Sequence, residues 1–224
     1  STQSGPTSSG TSYELISTKT WNPTPVIFAG HLKFGIAATS SGVIEVQALF
    51  ASSPVTLATI GDTVSLVVTF TNASGLFTQG GPMGFGLYNS GQNYPVPGGL
   101  NATATSAYTT NTVGNAQPWV GYVGQLAFTN ASSQILTRAA QTIGILSNNC
   151  QDVVASGSSS SSYNYPAGTI VGTASSTASV ALATNSLYTD VFTIKLMAGN
   201  VLVITNSLYA GADYFQHAND TSIS

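Results

Sequence analysis

The chain has 224 residues, and only 5% of them are charged, whereas charged residues make up about a quarter of an average soluble domain. Four basic residues and a net charge of −3 are too few for a phosphate-binding surface, which argues against a nucleic-acid partner. No apolar run approaches the roughly 18 residues of a membrane span, and a hydrophobic content of 42% argues against disorder.

Strand patterns dominate the first half of the chain. The polar residues 1–12 precede a short predicted strand at Tyr13–Thr18, and Pro23 and Pro25 then interrupt the pattern. Val64–Thr71 places alternate apolar residues on one face, which is typical of a half-buried strand. The other strands predicted here are Val26–Phe28, Leu32–Ala38, Val43–Ala51 and Val55–Ile60.

The second half is also strand-rich. Strands are predicted at Phe85–Tyr88 and at Trp119–Phe128, where two glycines indicate that another backbone or a ring comes close. Gln134–Leu146 is the one stretch compatible with a helical turn. Leu187–Met197 and Val201–Leu208 form the clearest hairpin, with its turn at residues 198–200.

These patterns predict an all-β protein. We expect a single antiparallel β-sandwich of the immunoglobulin-like or jelly-roll type with an extended N-terminal tail. Residues 1–22 form the tail, and residues 23–224 form the head domain.

Four Asn-x-Ser/Thr sequons lie after predicted strands or in loops. A chain this rich in Asn, Ser and Thr produces such motifs by chance, but their placement favours N-glycosylation of an exported, extracellular protein. The acceptor residues are Asn72, Asn101, Asn130 and Asn219.

Catalytic and metal-binding residues are not predicted, and no cofactor is expected. His31 and His217 lack an acidic residue at a useful spacing, and the single cysteine, Cys150, excludes an intramolecular disulfide and a cysteine-based zinc site. A sandwich similar to a glutamic peptidase, using Glu45 and Gln117, is the one enzymatic alternative.

Two further sites are alternatives to a purely structural role. Trp119 and Tyr122 are candidates for stacking on sugar rings, as in a secreted lectin-like protein, although strand aromatics are more often core residues. Lys33 and Lys195 are candidates for an isopeptide bond with Glu45 as the catalytic carboxylate, although their ends more often reach solvent.

In its low charge, strand-rich pattern, sequons and loose N-terminus, the chain resembles the subunits of archaeal threads, the glycosylated surface filaments of Sulfolobus-type acidophiles. The resemblance covers the whole chain in organisation and includes no short diagnostic motif. It implies a type-1-pilin-like head, assembly into a homopolymer by donor strands, and a role in adhesion or biofilm formation. GFGLYNSG (84–91) and AQPWVGYVGQ (116–125) are also similar to exported, often lectin-like sandwich proteins.

The tail has the pattern of a donor strand. Its 22 residues reach roughly 70 Å when extended, and we expect residues near 3–18 to complete the sheet of a neighbouring subunit, with strands near 191–208 as the acceptor edge. The alternative is a tail that folds back within its own subunit. The residues on one face of the donor strand are Thr11, Tyr13, Leu15 and Ser17.

Stability is expected to depend little on pH. With so few cations, ion pairs contribute little, so we expect similar thermal stability at pH 3 and pH 7.

Overall fold

The computed structural model describes residues 12–17, 26–28, 31–33, 44–49, 54–73, 83–89, 119–126, 133–138, 170–173 and 182–211. This part of the chain is mostly β-strand and contains no α-helix, and each strand register determined within it is antiparallel, which confirms the predicted all-β fold class. The strands are β1 Ser12–Ser17, β2 Val26–Phe28, β3 His31–Lys33, β4 Ile44–Leu49, β5 Thr63–Asn72, β6 Met83–Asn89, β7 Val120–Leu126, β8 Gln134–Arg138, β9 Ile170–Thr173, β10 Ser186–Met197 and β11 Val201–Ala210.

The chain divides into two compact units. The first comprises Ser1–Val55, Asn89–Val120 and Ala139–Ala167, and in its described part β1 pairs with β4 and β2 pairs with β3. The second comprises Thr56–Tyr88, Gly121–Arg138 and Gly168–Ser224. No boundary falls at residue 22, so the division into tail and head stays a prediction.

The second unit is a β-sandwich. One sheet has the strand order β11-β10-β5 and the other has the order β6-β7-β8-β9. Their facing side chains interlock: the Phe70 ring of the first sheet lies 5.9 Å from the Phe85 ring of the second, measured between centroids. Phe192, which is fully buried, packs with Leu87 and Ile194. β5 is exposed at every second residue, as its alternating sequence predicts.

Two glycines of β7 lie where other atoms approach closely, and at Gly121 the approaching group is a backbone, as predicted. A Cβ atom on Gly121 would collide with the backbone oxygen of Leu87, and one on Gly124 would collide with the side chain of Asn206. The predicted hairpin is also confirmed, since β10 and β11 are joined by a 3₁₀ turn at Ala198–Asn200 in which Gly199 has a φ of 75°.

The strand predicted at Val55–Ile60 is wrong. Residues 54–58 form no strand and lead into a turn, because the Asp62 carboxylate accepts the N–H groups of Ala58 and Thr59 at 2.8 Å each. In the stretch compatible with a helical turn, Gln134–Arg138 is strand β8, because its main chain pairs with β7 and with β9, and residues 139–146 lie outside the described residues. Tertiary pairing here overrides a weak local preference.

Candidate functional site

The three-stranded sheet has two edge strands that carry no feature known to block strand addition. β5 and β11 are ten residues long, and each pairs only with β10 among the described strands. Neither contains a charged residue or a proline. Natural edge strands usually carry such residues, because an unpaired row of N–H and C=O groups recruits further strands.

The first residues of β11 are uncovered on both faces. Val201 and Val203 are 54% and 43% exposed, and Leu202 between them is 38% exposed. Leu202 lies on the inward face, the one that presents Ile204 and Leu208 to the core clusters further along the strand. The inner face of the sheet at this end is therefore apolar and open beside an edge that pairs with no further strand in the described part of the chain. The predicted acceptor region, 191–208, covers parts of two strands. Of these, β11 is an edge strand, whereas β10 is the central strand of the sheet.

Residues 12–17 of the predicted donor segment form β1, which pairs with β4 of the same chain, and its residues 3–11 and 18 lie outside the described residues. The register sets Tyr13 opposite Ala48, Leu15 opposite Val46 and Ser17 opposite Ile44. In the single chain the segment thus has the fold-back arrangement, the alternative to strand donation. Thr11 lies outside the described residues.

One of the four predicted glycan acceptors lies in the described residues. Asn72 ends β5, and its Nδ2 donates a hydrogen bond of 3.0 Å to the carbonyl oxygen of Leu182. Its own carbonyl oxygen accepts from the N–H of Asn185 at 2.6 Å. The atom that would carry a glycan thus helps to hold the loop before β10. Asn101, Asn130 and Asn219 lie outside the described residues.

The predicted sugar-stacking rings are not presented to solvent as a platform. Trp119 is 7% exposed, and Tyr122 packs against the cluster of Leu87, Phe192 and Ile194. Stacking on a sugar needs an open ring face, which the buried Trp119 does not offer, and Tyr122 is partly buried.

The two lysines considered for an isopeptide bond are exposed, Lys33 at the end of β3 and Lys195 on β10. An isopeptide bond of the expected kind needs a buried lysine, so neither side chain is placed for it. Cys150 and Gln117 lie outside the described residues, as does the side chain of Glu45.

A buried acid–amide pair was not predicted. Asp190, on the inward face of β10, is fully buried, and Asn206 on β11 is 4% exposed. The carboxamide of Asn206 faces Asp190, with one of its two terminal atoms 2.9 Å from Oδ2 and 3.3 Å from Oδ1, where an amide N–H donates to an unprotonated oxygen or the amide oxygen accepts from a protonated one. A sequence signal could have located this pair, because an acid interrupts the apolar face of β10. The residues of that face are Tyr188, Asp190, Phe192 and Ile194.

Within the described ranges, no group of three or more His, Cys, Asp or Glu side chains is arranged to hold a metal ion. In the same ranges, no helix has the length and apolar character to cross a membrane. No protein-family profile, curated protein or solved structure matches this chain.

Proposed function

We propose that this protein is the structural subunit of an extracellular, N-glycosylated cell-surface filament. Identical subunits polymerise head to tail by donor-strand complementation, and the filament serves adhesion or biofilm formation. The observation that supports the proposal best is the uncharged edge strand β11, with its uncovered apolar residues at Val201–Val203.

A donor strand added beside β11 would satisfy two requirements at once. Its backbone would pair with the outer N–H and C=O groups of β11, and its alternate side chains would cover the inner face beside Leu202. Most soluble proteins protect such an edge with Lys, Pro or a bulge. Protection by a neighbouring subunit explains why a chain this poor in charge retains an unprotected edge.

The donor is the segment of β1. Among the described strands β1 pairs with β4 alone, and a two-stranded ribbon is marginally stable in water. Replacing this ladder with pairing to a neighbour costs little, and exchange of one element between identical subunits is a common route to assembly. Because donor and acceptor are different surfaces, the contact does not close on itself and extends into a fibre.

The composition supports a location outside the cell. Solubility depends on hydroxyl and amide groups rather than on ions, since only 5% of the residues are charged. Glycans on the three sequons outside the described residues, Asn101, Asn130 and Asn219, would add to that polar surface.

Electron microscopy of truncated chains tests the proposal. Removing residues 1–18 should abolish fibres and leave aggregation-prone monomers, which a peptide of residues 1–18 stabilises. The matched control removes residues 1–10 and leaves β1 intact, so it should still form fibres. Fibres from the chain that lacks residues 1–18, or an absence of fibres from the complete chain under all conditions, would refute the proposal.

A further inference from the structure

The carboxyl group of Asp190 lies in an apolar environment at the centre of the three-stranded sheet. Val68 of β5 and Leu208 of β11 are its register partners on either side. Tyr188 and Phe192 flank it on its own strand, and both belong to the core clusters. A carboxylate in such surroundings needs a cation or several donors to offset the loss of hydration.

No cation among the described residues supplies that compensation. Lys195 is exposed and lies at an odd-numbered position of β10, on the opposite face from Asp190. Arg138 of β8 is in register with Gly121 of β7 and so lies on the same face as that residue. Gly124 lies on the opposite face of β7, against Asn206. Arg138 is therefore on the face of its sheet away from the acid–amide pair. Tyr122 is the titratable group that β7 presents to the core, and β5 presents none.

Asn206 is the hydrogen-bond partner that the described residues offer to this carboxyl group. A single amide group suits a neutral carboxylic acid, whose O–H the amide oxygen can accept, better than a carboxylate, which has about four acceptor sites to satisfy. Burial raises the pKa of Asp190 from 3.8 to about 8, so the group is protonated in the folded protein at neutral pH.

We propose that Asp190 and Asn206 form a neutral acid–amide pair that makes the sandwich an acid-stabilised fold, which loosens as the medium becomes alkaline. The direction of the pH dependence follows from the number of protons that the folded and unfolded states bind. Between about pH 4 and pH 8 the folded state binds one proton that the unfolded state has released, so stability is greatest below pH 4 and falls as the pH rises to 8. This proposal opposes the expectation of similar stability at pH 3 and pH 7, and it does not depend on the assembly proposal.

Urea unfolding of the complete chain between pH 4 and pH 8 tests the inference. The unfolding equilibrium constant should rise about tenfold for each pH unit, the slope for one proton. Asp190→Asn keeps a neutral side chain of the same shape and should remove this slope. Asp62→Asn, which changes an acid in the turn before β5, should retain it. A slope that is absent in the natural chain, reversed in sign, or unchanged in Asp190→Asn would overturn the inference.

Infrared spectroscopy provides a readout that needs no variant to fold. At pH 6 the natural chain should show the C=O stretching band of a protonated carboxylic acid, whose proton exchanges slowly with the solvent because the group is buried. This band should disappear above about pH 9. The absence of a protonated-acid band at pH 6 would mean that Asp190 is ionised in the fold, which contradicts the neutral pair.

Discussion

The side chain of Asn206 on β11 occupies the space that a Cβ atom on Gly124 of β7 would need. Such an atom would lie 2.5 Å from Cγ of Asn206 and 2.6 Å from its Cβ. The same amide binds Asp190, so the two sheets meet at a glycine, an amide and an acid. The absence of a side chain at position 124 thus allows the polar pair to remain inside the sandwich.

Gly124→Ala should therefore destabilise the protein by about 1–3 kcal/mol, the usual cost of overpacking a core. The matched control is Gly172→Ala on β9, where a Cβ would lie 3.8 Å from Cβ of Ile135, an ordinary contact. Urea unfolding of both variants measures the difference. Equal stabilities would show that Asn206 moves aside without cost.

Val203→Lys should prevent fibre formation while lowering stability only slightly. Val203 lies at the open end of the β11 edge, where a lysine discourages strand addition. Because the site is exposed but lies opposite Lys195, the free energy of unfolding should fall by no more than about 1 kcal/mol. The control is Leu187→Lys, at a comparably exposed site on the central strand β10. Loss of fibres in both variants would indicate a general effect of charge, and fibres from Val203→Lys would exclude β11 as the acceptor edge.

Fixing β1 to β4 should block assembly. Leu15 and Val46 are in register, so a chain with Leu15→Cys and Val46→Cys, in which Cys150 is replaced by alanine, has two cysteines directly opposite each other. We expect that the oxidised form stays monomeric and that reduction restores fibres, as seen by electron microscopy. Fibres from the fully oxidised chain would mean that the fold-back arrangement persists in the polymer.

Asn72 should be the least occupied of the four sequons, because its Nδ2 is already bonded to the carbonyl oxygen of Leu182. Asn72→Ala should cost about 1 kcal/mol through loss of that hydrogen bond. Ser74→Ala removes the same sequon but keeps the amide, so it should leave stability unchanged. Glycopeptide mass spectrometry and urea unfolding check both statements, and full occupancy at Asn72 would contradict the first.

The sequence predicted those features that depend on local pattern. The alternation from Val64 to Phe70 gives the two faces of β5, and the turn at Gly199 gives the long hairpin. The segment at 55–60 was misassigned, because the side chain of Asp62 takes the N–H groups that a strand would share with a partner.

The buried pair could not be predicted in the same way. Asp190 and Asn206 meet only because of the register between β10 and β11 and the space left by Gly124. Likewise, the alternation of Tyr13 and Leu15 predicts a strand, but nothing local to that segment determines which strand it joins.

On the outer face of the three-stranded sheet, β5 and β10 are connected by hydroxyl groups. Ser65 Oγ lies 3.0 Å from Thr193 Oγ1, and Thr69 Oγ1 lies 3.3 Å from Thr189 Oγ1. Neutral partners have no Coulomb attraction for dissolved ions to screen. These cross-strand contacts should therefore persist unchanged from dilute buffer to concentrated brine.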